Sequence, residues 1–259
     1  EHLGLGVGWG GVNRSGRCEG VDSPTDRASL RLSFPLHASS AFLPTTGIVQ
    51  GQATVKKILE NGSEFRTLHL GFPAGSLEGA QVGASVAING TCLTIVSVDA
   101  AAGELAFDVI GETLDKTNLG DLQEGHVANF ERAARIGDEI GGHTVSGHIH
   151  TKGFIREVER TEQNVRYQVE VPPGWTKYVL PKGFIAVDGI SLTVGEVASN
   201  TFNLYLIPET LRVTTLGAKE KGSSVNIEID SQTQTIVDTI ECYMRENFDL
   251  EKLAKTAAK

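Results

Sequence analysis

The hexapeptide Asn89-Gly90-Thr91-Cys92-Leu93-Thr94 returns 99 positions later as Asp188-Gly189-Ile190-Ser191-Leu192-Thr193. Each copy reads as a tight turn followed by a short strand. Asn-Gly and Asp-Gly supply the positive φ that a hairpin turn needs, and alternating Leu and Thr suits a pleated surface. The repeat extends in both directions and keeps its order. Thr46-Gly47-Ile48-Val49 is echoed by Ser146-Gly147-His148-Ile149, an offset of 100. Glu112-Thr113-Leu114 is echoed by Glu209-Thr210-Leu211, and Gly125 to Glu131 by Gly222 to Glu228, both at 97. A two-fold repeat of this length is too long for a solenoid and predicts two homologous domains in tandem.

Within each copy, short strand-like runs alternate with turn signals. In the first, the candidate strands are 54–59, 65–70, 85–88, 93–98 and 105–110, separated by Asn61-Gly62, Pro73-Ala74-Gly75, Asn89-Gly90 and Ala102-Gly103. That spacing predicts a closed barrel or a sandwich. The fold class is therefore mainly β, two barrels in tandem, with the junction near residues 135–142. The expected partition is an N-terminal extension over 1–44, barrels over 45–140 and 141–230, and a helical tail over 231–259. Residues 1–44 carry no strand or helix period and read as a disordered extension. They would suit a transit peptide in their Arg and Ser, but they also hold Glu1, Glu19, Asp22 and Asp26. In the tail, Ile236, Val237, Ile240, Tyr243 and Met244 fall at helical spacing, with Leu250, Leu253 and Ala254 beyond. This amphipathic helix lies outside both repeats, so its apolar face packs either on the adjacent barrel or on the same helix of other subunits.

Composition narrows the function classes. A net charge of −9 with no basic patch argues against nucleic acid. No apolar run approaches the roughly 18 residues of a spanning helix. Three widely spaced cysteines, Cys18, Cys92 and Cys242, do not make a disulfide framework and suit a reducing compartment. Ser146 fails the GxSxG pattern because position 144 is Thr. No P-loop or GxGxxG is present. His143, His148 and His150 cluster near Asp138 and Glu139, but no further ligand completes a metal set, and a polar pocket explains them as well. Cys92 and Ser191 stand out because unlike reactive groups occupy matched positions of the repeat. A lone cysteine is otherwise most often a buried, inert thiol.

The motifs Thr46-Gly47-Ile48-Val49-Gln50-Gly51, Asn89 to Thr94, Asp138-Glu139-Ile140-Gly141-Gly142-His143, Ser146-Gly147-His148-Ile149, Lys182-Gly183-Phe184-Ile185, Asp188 to Thr193 and Leu206-Ile207-Pro208-Glu209-Thr210-Leu211 occur in order. Over residues 46–247 the chain thereby resembles riboflavin synthase, the enzyme family that dismutates 6,7-dimethyl-8-ribityllumazine. It departs from the family opening Met-Phe-Thr-Gly-Ile-Val in having Thr45 at the Phe position. The resemblance implies two six-stranded Greek-key barrels and a C-terminal helix. It implies transfer of a four-carbon unit between two identical substrates, giving riboflavin and 5-amino-6-(D-ribitylamino)uracil, with no metal or organic cofactor. It also implies a homotrimer bundled through the C-terminal helices, each active site lying between the N-terminal barrel of one subunit and the C-terminal barrel of the next, and lumazine synthase as a further partner. The location implied is soluble and intracellular: plastid if 1–44 is a transit peptide, otherwise cytoplasm.

Carried over residue by residue, Cys92 and Ser191 match positions near the reacting carbons. His148 is the candidate proton carrier, since imidazole titrates near neutrality, and Asp230 matches an acid near the site. The ligand contacts implied in the first barrel are Gly47, Ile48 and Val49, then Cys92, Leu93 and Thr94, then Asp108, Val109, Ile110, Gly111, Glu112 and Thr113. In the second they are Gly147, His148 and Ile149, then Lys182, then Ser191, Leu192 and Thr193, then Ile207, Pro208, Glu209, Thr210, Leu211 and Arg212. Thr94 and Thr193 also read as ordinary strand residues. The alternative function is a non-catalytic lumazine- or flavin-binding protein of the same fold, of the antenna type. The presence of Ser191, His148 and Asp230 favours the enzyme.

Overall fold

The computed structural model describes residues 45–62, 65–162 and 164–247. The expectations for 1–44 and for the tail beyond Asn247 lie outside the described residues. Twelve strands form two closed antiparallel barrels with the same strand order. The first comprises β1 (Gly51–Glu60), β2 (Phe65–Gly71), β3 (Ser85–Ile88), β4 (Thr91–Asp99), β5 (Glu104–Ile110) and β6 (Val127–Arg132). The second comprises β7 (Thr151–Arg160), β8 (Val165–Glu170), β9 (Phe184–Val187), β10 (Ile190–Ala198), β11 (Thr201–Leu206) and β12 (Ser224–Ile229). Strand β6 closes the first barrel by pairing with both β1 and β3, and β12 does the same with β7 and β9. The duplication reaches fine detail. The register of the β1–β2 pair breaks between Val55 and Lys57, and that of β7–β8 between Ile155 and Glu157. Such bulges sharpen the bend a small barrel needs.

Each barrel has its own core. Val55, Leu68, Ile88, Ile95, Phe107 and Phe130 fill the first, and Ile155, Tyr167, Ile185, Val194, Phe202 and Ile227 fill the second. The inward residues alternate with outward ones, as in β8, where Val165, Tyr167 and Val169 are buried. The buried Tyr167 hydroxyl is satisfied by donating to the carbonyl of Leu216 at 2.7 Å.

Two short helices went unpredicted: α1 (Gly111–Lys116) and α2 (Pro208–Val213). They are only six residues long, too short for a hydrophobic period to show. Their traces in the sequence are Pro208 in the first turn and the Glu112–Lys116 pair one turn apart. The tail helix is α3 (Ser231–Asn247).

The two barrels meet across an approximate two-fold arrangement of buried polar groups. The hairpin turns are left-handed as their sequence predicts, with φ of 44° and 78° at Asn89-Gly90 and 47° and 78° at Asp188-Gly189. They touch back to back, and a Cβ at Gly90 would lie 2.6 Å from the Gly189 nitrogen. Asn129 on β6 and Asn226 on β12 stitch them together. Asn129 N–H donates to Asn89 Oδ1 (2.8 Å), its amide donates to the Asp188 carbonyl (3.0 Å), and its Oδ1 accepts from Thr215 N–H (2.8 Å). Asn226 repeats this with Asp188 Oδ1 (2.7 Å), the Asn89 carbonyl (2.9 Å) and Asn118 N–H (2.7 Å). The fully buried Asp188 carboxylate also faces Lys219 Nζ at 3.1 Å.

Truncating either asparagine would leave several buried donors and acceptors unpaired. Asn226→Ala is expected to lower the unfolding free energy by about 2–4 kcal/mol, while Asn61→Ala, on an exposed turn, costs under about 0.5 kcal/mol. Urea denaturation of both variants checks this, and equal effects would contradict it.

Candidate functional site

Cys92 and Ser191 occupy the same place in their barrels. Cys92, on β4, pairs with Ala87, and Ser191, on β10, pairs with Ala186. Both side chains are half-buried at the end of the strand that follows the hairpin turn. The glycine that stands against each comes from the segment leading into the opposite barrel. Thr45 and Val145 exchange backbone hydrogen bonds of 2.9 and 3.0 Å, so the segments leading into β1 and β7 cross antiparallel. Beyond the crossing, Gly47 packs on Ser191 and its carbonyl accepts from Ser191 N–H at 2.8 Å. Gly147 packs on Cys92 and accepts from Cys92 N–H at 2.9 Å. A Cβ on Gly47 would lie 2.6 Å from Ser191 Cβ, and one on Gly147 would lie 2.5 Å from Cys92 Cβ. Both glycines also have positive φ, 74° and 81°. No other residue type fits at either place.

Gly47 and Gly147 thus lean on the barrel opposite to the one whose repeat they open. Val49 is partly buried and packs against the core of the second barrel. The exchange is invisible in the sequence because a repeat reveals which segments match, not which barrel each one leans on. The segments 46–50 and 146–150 are not strands. His148 is exposed, with its N–H donating to Ser146 Oγ at 3.2 Å. His150 is held between Ile229 N–H at Nδ1 (3.2 Å) and Gln234 Oε1 at Nε2 (2.9 Å), against the Trp175 ring.

The two sockets differ chemically. Ser191 Oγ lies 2.6 Å from Nδ1 of the buried His143, whose ring stacks on Phe184 at 5.2 Å and 17°. Phe184 is cross-strand from Thr193. With Ile48 and Ile207 it is an apolar side chain left about half exposed or more. The Cys92 thiol instead meets the Ser85 hydroxyl, in a small cavity also lined by Thr45, Ser146 and Gly147. Burial pushes the thiol up; Ser85 opposes this and the charge of Glu228 adds to it. His143 was visible in the sequence as part of a histidine cluster and as the end of the Asp138–His143 motif, but its pairing with Ser191 is a tertiary contact across 48 positions.

Two buried carboxylates also escaped the sequence reading, although they close the matched blocks ending at Glu131 and Glu228. Glu131 Oε1 accepts from Thr46 N–H (2.6 Å) and Oγ1 (2.8 Å), and Oε2 from Gly47 N–H (3.0 Å). Glu228 does the same for Ser146 N–H (2.6 Å), Ser146 Oγ (2.7 Å) and Gly147 N–H (3.0 Å). Burial raises both carboxyls, and these hydrogen bonds pull the other way.

Of the remaining sequence candidates, Lys182 is exposed, and Ile149 and Leu192 are half-buried. Leu93 and Val109 are buried in the first core, whereas Thr94 and Thr193 are exposed on their strands. Asp108 to Thr113 and Ile207 to Arg212 run from the ends of β5 and β11 into α1 and α2, and their polar side chains are engaged locally. Asp108 accepts from Thr67 Oγ1 (2.8 Å), and Glu209 pairs with Arg212 (2.6 Å). Asp230 caps α3, its Oδ2 accepting from Thr233 N–H (2.9 Å) and Oγ1 (2.8 Å), and its charge is felt at His143.

Burial lowers the His143 imidazole below its ordinary range, and the Asp230 charge partly restores it. His143 is therefore neutral near pH 7 and can accept a proton from Ser191. Because its folded pKa is depressed, the folded state binds fewer protons than the unfolded one below the ordinary histidine value. Its contribution to stability is then lost as pH falls through that window. NMR titration is expected to place the His143 midpoint below that value, and Asp230→Asn, which removes the neighbouring charge, should lower it further. An upward shift in the variant would contradict the assignment.

The Lumazine binding domain family matches residues 46–133 and 146–230, one match per barrel. The chain is 50% identical over 197 residues to riboflavin synthase of Escherichia coli strain K12, spanning 76% of this chain and 91% of that one. It is 41% identical over 210 residues to riboflavin synthase of Chlamydia muridarum, spanning 81% and 99%. The solved structure of LumP complexed with 6,7-dimethyl-8-(1'-D-ribityl) lumazine is similar with a TM-score of 0.64 at 25% identity, over 71% of this chain and 98% of that one. LumP complexed with riboflavin gives 0.66 at 26% identity, over 72% and 100%. With a match in each barrel and synthases as half-identical relatives, the chain belongs to the riboflavin synthase family of paired lumazine-binding barrels.

Proposed function

We propose that the protein is a riboflavin synthase, converting two molecules of 6,7-dimethyl-8-ribityllumazine into riboflavin and 5-amino-6-(D-ribitylamino)uracil by transfer of a four-carbon unit. The observation that carries this is the pair of sockets, alike in backbone and unlike in reactive group. A reaction between two copies of one compound needs that combination, because donor and acceptor have the same shape and must be treated differently. The antenna reading asks only for a binding surface. The higher identity to the synthases and the Ser191–His143 pair both argue against it.

In this reading the sockets hold two flat rings in reacting geometry, which removes much of the entropic barrier. Neutral His143 takes the proton of Ser191 as the oxygen adds to the electron-poor ring; with its proton kept, the hydroxyl would instead donate to the anion formed when the C7 methyl loses a proton. Cys92 serves the second ring as nucleophile or donor. The exposed His148 is the candidate carrier of protons to solvent. Asp230 steadies the charge on His143 and anchors α3. Ile48, Phe184 and Ile207 offer apolar surface to a ring, and the exposed Thr94, Thr193 and Lys182 offer polar groups to a ribityl chain. No metal or organic cofactor takes part.

The active assembly is a homotrimer joined through α3. That helix inverts the usual rule for an amphipathic surface helix. Its polar stripe faces the barrel, where Gln234, Asp238 and Glu241 bond His150, Tyr178 and Lys177. Its apolar stripe of Ile236, Ile240, Tyr243 and Met244 is 41–60% exposed. Burying it against identical helices would satisfy all four residues.

Purified protein is expected to form a flavin from the ribityllumazine without added cofactor. Ser191→Ala and Cys92→Ala should each lower kcat by about tenfold or more without unfolding the chain, and Ile240→Glu should shift the sedimenting mass from three chains to one. Stoichiometric binding with no flavin formed would support the antenna reading, and an unchanged mass would remove α3 from the interface.

A further inference from the structure

Glu131 and Glu228 touch neither reactive group, yet each governs the segment that does. The Glu131 side chain leaves β6 of the first barrel and accepts three hydrogen bonds from Thr46 and Gly47. The next link in that chain of contacts is the Gly47 carbonyl, which accepts from Ser191 N–H in the second barrel at 2.8 Å. Glu228 on β12 of the second barrel holds Ser146 and Gly147 in the same way, and the Gly147 carbonyl accepts from Cys92 N–H in the first barrel at 2.9 Å. Both carboxylates are at least nine-tenths buried, with relative exposures of 5% and 4%. Donors meet both oxygens of each, so only an acceptor at both ends fits. A glutamine would turn its NH₂ toward one of these donors.

We propose that Glu131 and Glu228 are positioning residues acting across the barrels: Glu131 sets the Ser191–His143 pair of the second barrel, and Glu228 sets Cys92 of the first. The wiring is therefore crossed, each carboxylate tuning the socket of the barrel to which it does not belong. An independent observation agrees. The Glu228 charge reaches the Cys92 thiol and adds to its upward shift. The consequence for turnover rests on the synthase reading above, but the geometry can be tested without any turnover.

The test reads both sockets in Glu131→Gln and Glu228→Gln. Cys92 is followed by iodoacetamide alkylation with peptide mapping, which separates it from Cys18 and Cys242, and His143 by its imidazole NMR resonance. In Glu228→Gln, Cys92 should react about threefold faster or more, with its pH midpoint lowered, and the His143 resonance should stay in place. In Glu131→Gln, the His143 resonance and its titration should move and the Cys92 rate should not. Ser146→Ala and Thr46→Ala, which delete one hydroxyl each and keep the backbone bonds, should give the same crossed pattern in weaker form and carry the test if either glutamine variant fails to fold. A same-barrel pattern, movement of both probes in both variants, or movement of neither would overturn the proposal. The crossed pattern in a protein that makes no flavin would leave the wiring intact and remove the synthase reading instead.

Discussion

The reciprocal clasp of Asn129 and Asn226 fixes how the two barrels face each other, and everything at the sockets follows from that orientation. Each asparagine reaches across to the hairpin turn of the other barrel. With the turns back to back, the segments preceding β1 and β7 cross, and each glycine meets the opposite reactive residue. A buried polar seam of this kind is strongly directional. A slip along it would strand several groups without partners, whereas an apolar seam would tolerate sliding. The Asp188–Lys219 pair makes the seam unequal in charge, because the matched turn position in the first barrel is the neutral Asn89.

Duplication with divergence explains why a chain would keep two such similar units. Strand order, bulges, turns and carboxylate clamps are shared between the barrels. The differences gather at the sockets: a thiol beside Ser85 on one side, a hydroxyl beside a neutral imidazole stacked on Phe184 on the other. Shared backbone lets both accept one ligand shape, and divergent side chains let them act on it differently. The α3 helix adds a second asymmetry, since only the second barrel carries it, docked through polar contacts with its apolar stripe outward.

Much of this was legible from residues alone because turns and periodicity are local. Asn89-Gly90 and Asp188-Gly189 announced hairpins that the structure realises with left-handed backbone. The alternating runs marked five of the six strands of the first barrel, and the repeat offsets carried them into the second. Cys92 and Ser191 were found because a repeat makes a mismatch visible. What remained hidden was non-local. The partner of Ser191 proved to be His143, 48 positions away in the segment leading into β7, and no spacing rule encodes that contact. Glu131 and Glu228 looked like strand residues, and their three-fold engagement with distant Thr-Gly and Ser-Gly dipeptides is a tertiary fact. The short α1 and α2 were missed for want of length.

One chain builds two unlike sockets, each completed by the other barrel's crossing segment. Calorimetric titration with riboflavin tests it most directly, comparing the parent chain with Gly147→Ala, in which the added Cβ would collide with Cys92. Two ligands per chain of unequal affinity are expected for the parent and one for the variant, the surviving site being the one at Ser191. A single ligand per chain in the parent, or loss of both sites in a variant that unfolds as the parent does, would contradict it.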